Sequence, residues 1–160
     1  MKRPPARKGR VGFPNMVLSV LNQAYQDSDT WFTWSRYINS NNGSMGCSAP
    51  IGPEVYRNNS FRDLNWRFSH LHAYRVKLAK HLKREDLLED DGKTFFRSGW
   101  DFYYLILLEK SNIHAKFIDQ VLYVYNVKNN LSDCKINESE QVRLFEMGRR
   151  RPKHSKLEKL

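Results

Sequence analysis

Gly99-Trp100-Asp101 is the point in this chain where residue types and spacing best suit a reaction. A carboxylate at the mouth of an apolar helix can take the proton from a hydroxyl as that oxygen attacks an electrophile, provided it sits at a pocket edge. Trp100 offers a flat aromatic face beside it, and Gly99 lets a ligand approach the backbone. The same residues have a purely local reading. Ser98-x-x-Asp101 is a capping-box arrangement, with Ser98 as N-cap and Asp101 reaching back to an amide. The two readings do not exclude each other. His70 and His72 lie beside a helical stripe, where histidines are commonly structural. Asp27-Ser28-Asp29 has the D-x-D spacing with which carboxylates hold a hard divalent cation. It follows a helix and precedes a strand, so it reads as a helix-ending turn. Cys47 and Cys134 are too few and too far apart for a zinc site or a disulfide framework.

The elements that position these residues follow from periodicity. Residues 1–12 combine Pro, Gly and five cations without apolar spacing and read as a disordered basic lead-in. Val17, Leu18, Leu21, Ala24 and Tyr25 share one face of a helix that starts at Pro14. Trp31 to Ile38 reads as a strand. Asn39 to Gly52 reads as a loop, with Asn42-Gly43 its tight turn. Trp66 to Leu71 is compatible with strand or helix. Leu71, Tyr74, Leu78 and Leu82 recur at helical spacing, which predicts an amphipathic helix with Arg75, Lys77, Lys80 and Lys83 on a solvated face. Asp90-Asp91-Gly92 is a turn, and so is the segment from Asn126 to Asn130. The run Phe102 to Leu108 is apolar nearly all round, so its helix is buried on more than one side. Ala115–Ile118 and the VLYVYN run from Val121 read as two short strands, in which Tyr123 and Tyr125 are ordinary strand residues. Glu138 to Gly148 reads as a last helix, ended by glycine and a basic run. The order predicts an α/β or α+β fold with a small mixed sheet.

Size and charge narrow the classes. At 160 residues, with 40% hydrophobic and 13% aromatic residues, the chain is expected to be one globular domain. Its longest apolar run is too short to span a bilayer, and no secretory signal follows Met1, which points to a cytoplasmic protein with free thiols. The net charge of +10 is terminal. Residues 1–10 carry five cations and no acid; residues 149–160 carry six cations and one acid. Removing these from 27 basic and 17 acidic residues leaves 16 of each, so the interior is neutral. A basic footprint on a folded face would survive that removal. The terminal runs read as solvated ends able to attract an anionic surface.

The stretch Arg97 to Asp133, RSGWDFYYLILLEKSNIHAKFIDQVLYVYNVKNNLSD, resembles the C-terminal half of the nucleotide-sugar-binding domain of family 2 glycosyltransferases, the Rossmann-like GT-A fold. There a G-W-D acid precedes a buried helix, and a strand reading I-x-x-V-L-Y-V-Y-N closes the sheet. The resemblance covers about Phe13 to Asn137. It implies inverting transfer from a nucleotide-diphospho-sugar to a hydroxyl acceptor. In it Asp101 is the base, and Trp100, His70 and His72 lie beside the acceptor, Trp100 as a platform for a sugar ring. Ser69-His70-Leu71 matches an S-H-L-R-x-F segment of one branch, with His72 in place of its Arg and Tyr74 in place of its aromatic residue. The family's P-x-Y-N turn, its uridine-contacting acid and its D-x-D strand would all precede Phe13. No cofactor is therefore assigned to this chain, and Mg or Mn is expected only for a full-length relative. The expected organisation is a lead-in over 1–12, a partial domain over 13–137, a terminal helix over 138–148 and a disordered basic tail over 149–160. Such a half is expected to be truncated and inactive as it stands, through a misassigned start, a decayed gene or a separately encoded partner, and to expose an unpaired strand edge. The alternative is a non-catalytic module whose basic termini bind nucleic acid or an anionic surface.

Overall fold

The computed structural model describes residues 13–97 and 100–160. The lead-in over 1–12 and the Ser98 capping residue lie outside the described residues, as do the side chains of Phe13, Pro14, Asn15, Trp100, Asp133 and Cys134. The elements are α1 (Phe13–Gln26), β1 (Phe32–Asn39), α2 (Pro53–Asn58), β2 (Ala73–Tyr74), α3 (Val76–Ala79), α4 (Trp100–Ser111), β3 (Ala115–Tyr125), α5 (Asp133–Ile136) and α6 (Glu138–Arg150). The sheet has three strands in the order β2-β1-β3, with β1 parallel to β3 and antiparallel to β2. It is a mixed α/β arrangement with a small open sheet. No helix among the described residues is long and apolar enough to cross a membrane.

The core forms where β1 meets α4. Phe32 and Trp34 of β1 are fully buried, as are Phe102 and the run Leu105 to Leu108, joined by Phe61, Phe68 and Leu78. Four consecutive buried leucine and isoleucine residues require neighbours on every side of α4, as its unbroken apolar sequence predicts. One neighbour is α6, whose Leu144 and Met147 are buried and whose Gly148 lies directly over the Phe102 ring. The last helix thus contributes to the same core. A Cβ on Gly148 would overlap the Phe102 ring. Gly148→Ala should gain about 1 kcal/mol of helix propensity and lose about 1–3 kcal/mol to overpacking. Net destabilisation is expected, seen as a lower urea midpoint with an unchanged slope. A midpoint at or above wild type would contradict this packing.

Three sequence expectations change. The helix expected from Leu71 to Leu82 is instead β2 followed by a single turn, α3. Tyr74 pairs with Phe32, and Arg75 N–H donates to Trp31 O at 2.9 Å. The backbone of β1 needed an edge partner, and that tertiary demand outweighed helical periodicity. Arg75 is accordingly no solvated cation, for its guanidinium donates to Thr30 O, Tyr25 O and Asp27 O, fastening the end of α1. The two short strands are one strand, β3. Asp119 and Gln120 are absorbed by a register shift against Ser35 and Arg36, and Arg36 forms an ion pair with Asp119. Both β2 and β3 are edges of this sheet, with no strand partner on their outer sides among the described residues.

The third change concerns the basic tail. Residues 151–160 carry no regular secondary structure, yet they are tied to the fold. Arg62, 5% exposed, is the fastening. It forms a bidentate ion pair with Glu109 on α4, which is 0% exposed, and donates to the carbonyls of Gly148, Arg149 and Arg151. Glu109 also accepts from His154 N–H at 3.0 Å, Asn59 donates to His154 O, and Leu157 N–H donates to Lys110 O. Leu157 and Leu160 pack on the core. The orphan carbonyls at the end of α6 thus find a buried cation, which also suits the helix dipole.

Candidate functional site

Asp101 stands in the first turn of α4 and is half-buried. Burial pushes its carboxyl up to about 6, and no described residue donates a hydrogen bond to it. The helix dipole at this end favours the anion by about 0.3–1 kcal/mol, less than the roughly 3 kcal/mol between 3.8 and about 6. Desolvation wins, and the group remains mostly ionised at pH 7. A carboxylate tuned toward neutrality is what a general base requires.

One helical turn on, Tyr104 lies close enough for Asp101 to add to the upward push on its hydroxyl, after burial and Tyr74. Tyr104 stacks on His72 at 3.8 Å between ring centroids, with an interplanar angle of 21°.

 His72 is in turn 5.9 Å from His70, edge-on. His70 lies against Tyr123 at 4.8 Å and Tyr125 at 5.4 Å, with Tyr37 5.7 Å away. Burial lowers both imidazoles, His72 to about 4, so both are neutral at pH 7. His72 Nε2 is engaged by Phe68 O, which fixes the ring.

The structure therefore brings together three of the residues singled out in the sequence. Asp101, His72 and His70 line up through Tyr104, with neither imidazole touching the carboxyl. Trp100 begins α4, and its side chain lies outside the described residues. Sequence reasoning missed Tyr104, although its position three residues after Asp101 puts both on one helix face. It also read Tyr123 and Tyr125 as plain strand residues, because nothing local shows that His70 closes against them. Tyr37 and Tyr123 are partners across the parallel pair, and Asn39 pairs with Tyr125, so the His70 end lies at the carboxyl ends of β1 and β3. In open α/β sheets that is where ligands bind.

Asp27-Ser28-Asp29 behaves as the turn its context predicts. Asp27 accepts from Asp29 N–H at 2.9 Å and pairs with Lys116, and the Lys116 contact holds its carboxyl below the usual range. No group of three or more His, Cys, Asp and Glu side chains able to hold a metal occurs among the described residues. Cys47 is an exposed free thiol beside the Tyr37 hydroxyl. The architecture defines a mixed α/β protein with a small three-stranded sheet and an aromatic, carboxylate-bearing site. Comparison with family models, with curated proteins and with solved structures gives no match for this chain.

Proposed function

We propose that this chain is glycosyltransferase-like and supplies the acceptor side of an inverting transfer from a nucleotide-diphospho-sugar. The observation that carries the reading is the chain of ring contacts from Tyr104, beside Asp101, through His72 to His70, which ends at the carboxyl ends of β1 and β3. In the transfer, the acceptor O–H bond breaks and its proton passes to the Asp101 carboxylate. The acceptor oxygen bonds to the anomeric carbon, and the nucleoside diphosphate leaves with the electron pair of the bond it breaks. Asp101 suits the proton step, being ionised at pH 7 and poorly solvated. The proposal assigns no donor or metal ligand to the described residues, and it keeps the cytoplasmic setting expected from the sequence.

The rival reading, basic termini on an anionic surface, loses support from the tail. Arg149 donates to Arg62 O and Leu64 O, Arg151 pairs with Asp90, and Lys153 pairs with Asp63. Half of the tail's six cations are thereby occupied within the fold.

Histidine imidazole resonances titrated with methyl glycosides test the acceptor reading. Saturable shifts at His70 and His72 are expected, with dissociation constants in the millimolar range, and Asp101→Asn should bind the same glycosides. Uridine and guanosine diphosphates should shift neither ring. Glycosides that leave both imidazoles unmoved, or nucleotides that move them, would sink the acceptor assignment.

A further inference from the structure

The rings around Asp101 continue well beyond the residues needed to hold one acceptor unit. Tyr103 lies 5.4 Å from Tyr104 and 6.1 Å from Tyr74, and its hydroxyl donates to that of Tyr74 at 3.2 Å. From Tyr104 the contacts pass through His72 and His70 to Tyr37, Tyr123 and Tyr125. All eight residues are half-buried, so each shows part of its surface to solvent. Fully buried Phe32 lies beneath them, with ring contacts to His72, Tyr74 and Tyr104, while the half-buried rings above it are Tyr and His. The division has a physical sense. Tyr and His present an apolar body and a polar tip, which suits a surface that must meet both C–H faces and hydroxyls.

The charge pattern excludes several ligands. The cation–π contacts of the described residues fall elsewhere, on Tyr25, Phe95, Phe96, Phe102, Phe117 and Phe145. Among the eight, both imidazoles are neutral at pH 7, and the nearest formal charge described at one end is the carboxylate of Asp101. A polyanion finds no cationic partner in that set, while an uncharged polyhydroxylated chain finds ring faces and hydroxyls. Ring contacts link Tyr104, His72, His70 and Tyr125 in turn, at 3.8, 5.9 and 5.4 Å between centroids.

We infer that the strip from Tyr103 and Tyr104 to Tyr37, Tyr123 and Tyr125 is an extended binding site for a neutral oligosaccharide, with several subsites beyond the reacting unit. The inference rests on the acceptor reading, in which the hydroxyl at the Asp101 end is the one that reacts. His70 then divides the strip into a near part at α4 and a remote part at the strand ends. A monosaccharide uses the near part, and only a longer chain reaches Tyr123 and Tyr125.

Calorimetry with the 160-residue chain tests this, using β-1,4-linked glucose and N-acetylglucosamine oligomers and α-1,4-linked glucose oligomers of increasing length. In at least one series affinity should rise about twofold to tenfold for each added unit that meets a ring, then level off. Tyr125→Ala and Tyr123→Leu should flatten that rise, and Tyr125→Phe should retain most of it. Affinity independent of length in all three series overturns the extended site, as does a rise that survives the Tyr125 and Tyr123 substitutions. Monosaccharide shifts at His70 and His72 that persist in the flat case leave the acceptor reading standing. A length-dependent rise together with an Asp101→Asn variant that still transfers sugar, in an assembly that supplies the donor, would instead remove the base and keep the strip. The rise in the unsubstituted chain decides the matter even where a variant fails to fold.

Discussion

Arg62→Ala is expected to destabilise the protein by about 3–5 kcal/mol, the cost of leaving one member of a buried ion pair alone. For a chain of this length that lowers the thermal midpoint by roughly 6–20 °C. Glu109 is 0% exposed and would lose its bidentate partner, and the carbonyls of Gly148, Arg149 and Arg151 would lose a donor together. The damage should spread along the tail, since His154 N–H and the Arg62 guanidinium share Glu109. Limited proteolysis should therefore cut between residues 151 and 160 in the variant before it cuts the wild type. Arg62→Lys keeps the charge without the planar fork and should fall between the two. The double variant Arg62→Met with Glu109→Leu should recover part of the loss, because an apolar pair replaces a buried ionic one at little cost. Full recovery is not expected while the three carbonyls remain without a donor. A loss below about 1 kcal/mol for Arg62→Ala, the scale of an exposed pair, would show that this fastening is not buried in solution.

Asp101→Asn is expected to stabilise the chain at pH 7 by roughly 2 kcal/mol, once the helix-dipole contribution offsets part of the desolvation penalty. The sign follows from proton binding. The folded carboxyl titrates near 6 and the unfolded one near 3.8, so between those values the folded state holds more protons. The contribution of Asp101 to stability therefore falls as pH rises from about 4 to about 6 and stays low above that. The difference between wild type and variant should be greatest above pH 6 and vanish below about pH 4. Urea unfolding across this range measures it. A side chain serving only as a helix cap gives the opposite sign, since replacing a good capping acid destabilises. In any assembly that supplies the donor, the same substitution should lower transfer by about 10²–10⁴-fold, the usual worth of a positioned base. Higher stability combined with lost transfer is the signature of a group kept for chemistry at the expense of the fold. Destabilisation at pH 7 would return Asp101 to the role of a cap.

Much of the fold is legible in the sequence. The helix after Pro14, the strand from Trp31, the Asn42-Gly43 turn, the buried helix of Phe102 to Leu108 and the last helix all stand where patterning puts them. Gly43 adopts φ of 70°, and Asn42 Oδ1 accepts from Ser44 N–H, so that turn is set by its own residues. Lys128 N–H and Leu131 N–H donate to Asn126 and Asn129 side chains in the same local manner. Phe102 to Leu108 admits no solvated side, so its burial follows from composition alone.

Other features depend on what the chain meets across the fold. Residues 71–82 have helical spacing, but the open edge of β1 draws Ala73 and Tyr74 into the sheet. Arg62 and Glu109 stand 47 residues apart and look like surface charges until α4 and the tail enclose them. The tail's cations look solvated in sequence, yet Arg149, Arg151 and Lys153 find carbonyls and carboxylates from earlier segments. The site divides in the same way. The sequence by itself determined that Asp101 begins a buried helix and that His70 and His72 are candidates. Only the tertiary structure set Tyr104 between Asp101 and His72 and closed Tyr37, Tyr123 and Tyr125 on His70. Periodicity reports which face of an element is apolar, whereas ring contacts between segments 30 to 60 residues apart depend on how those faces meet.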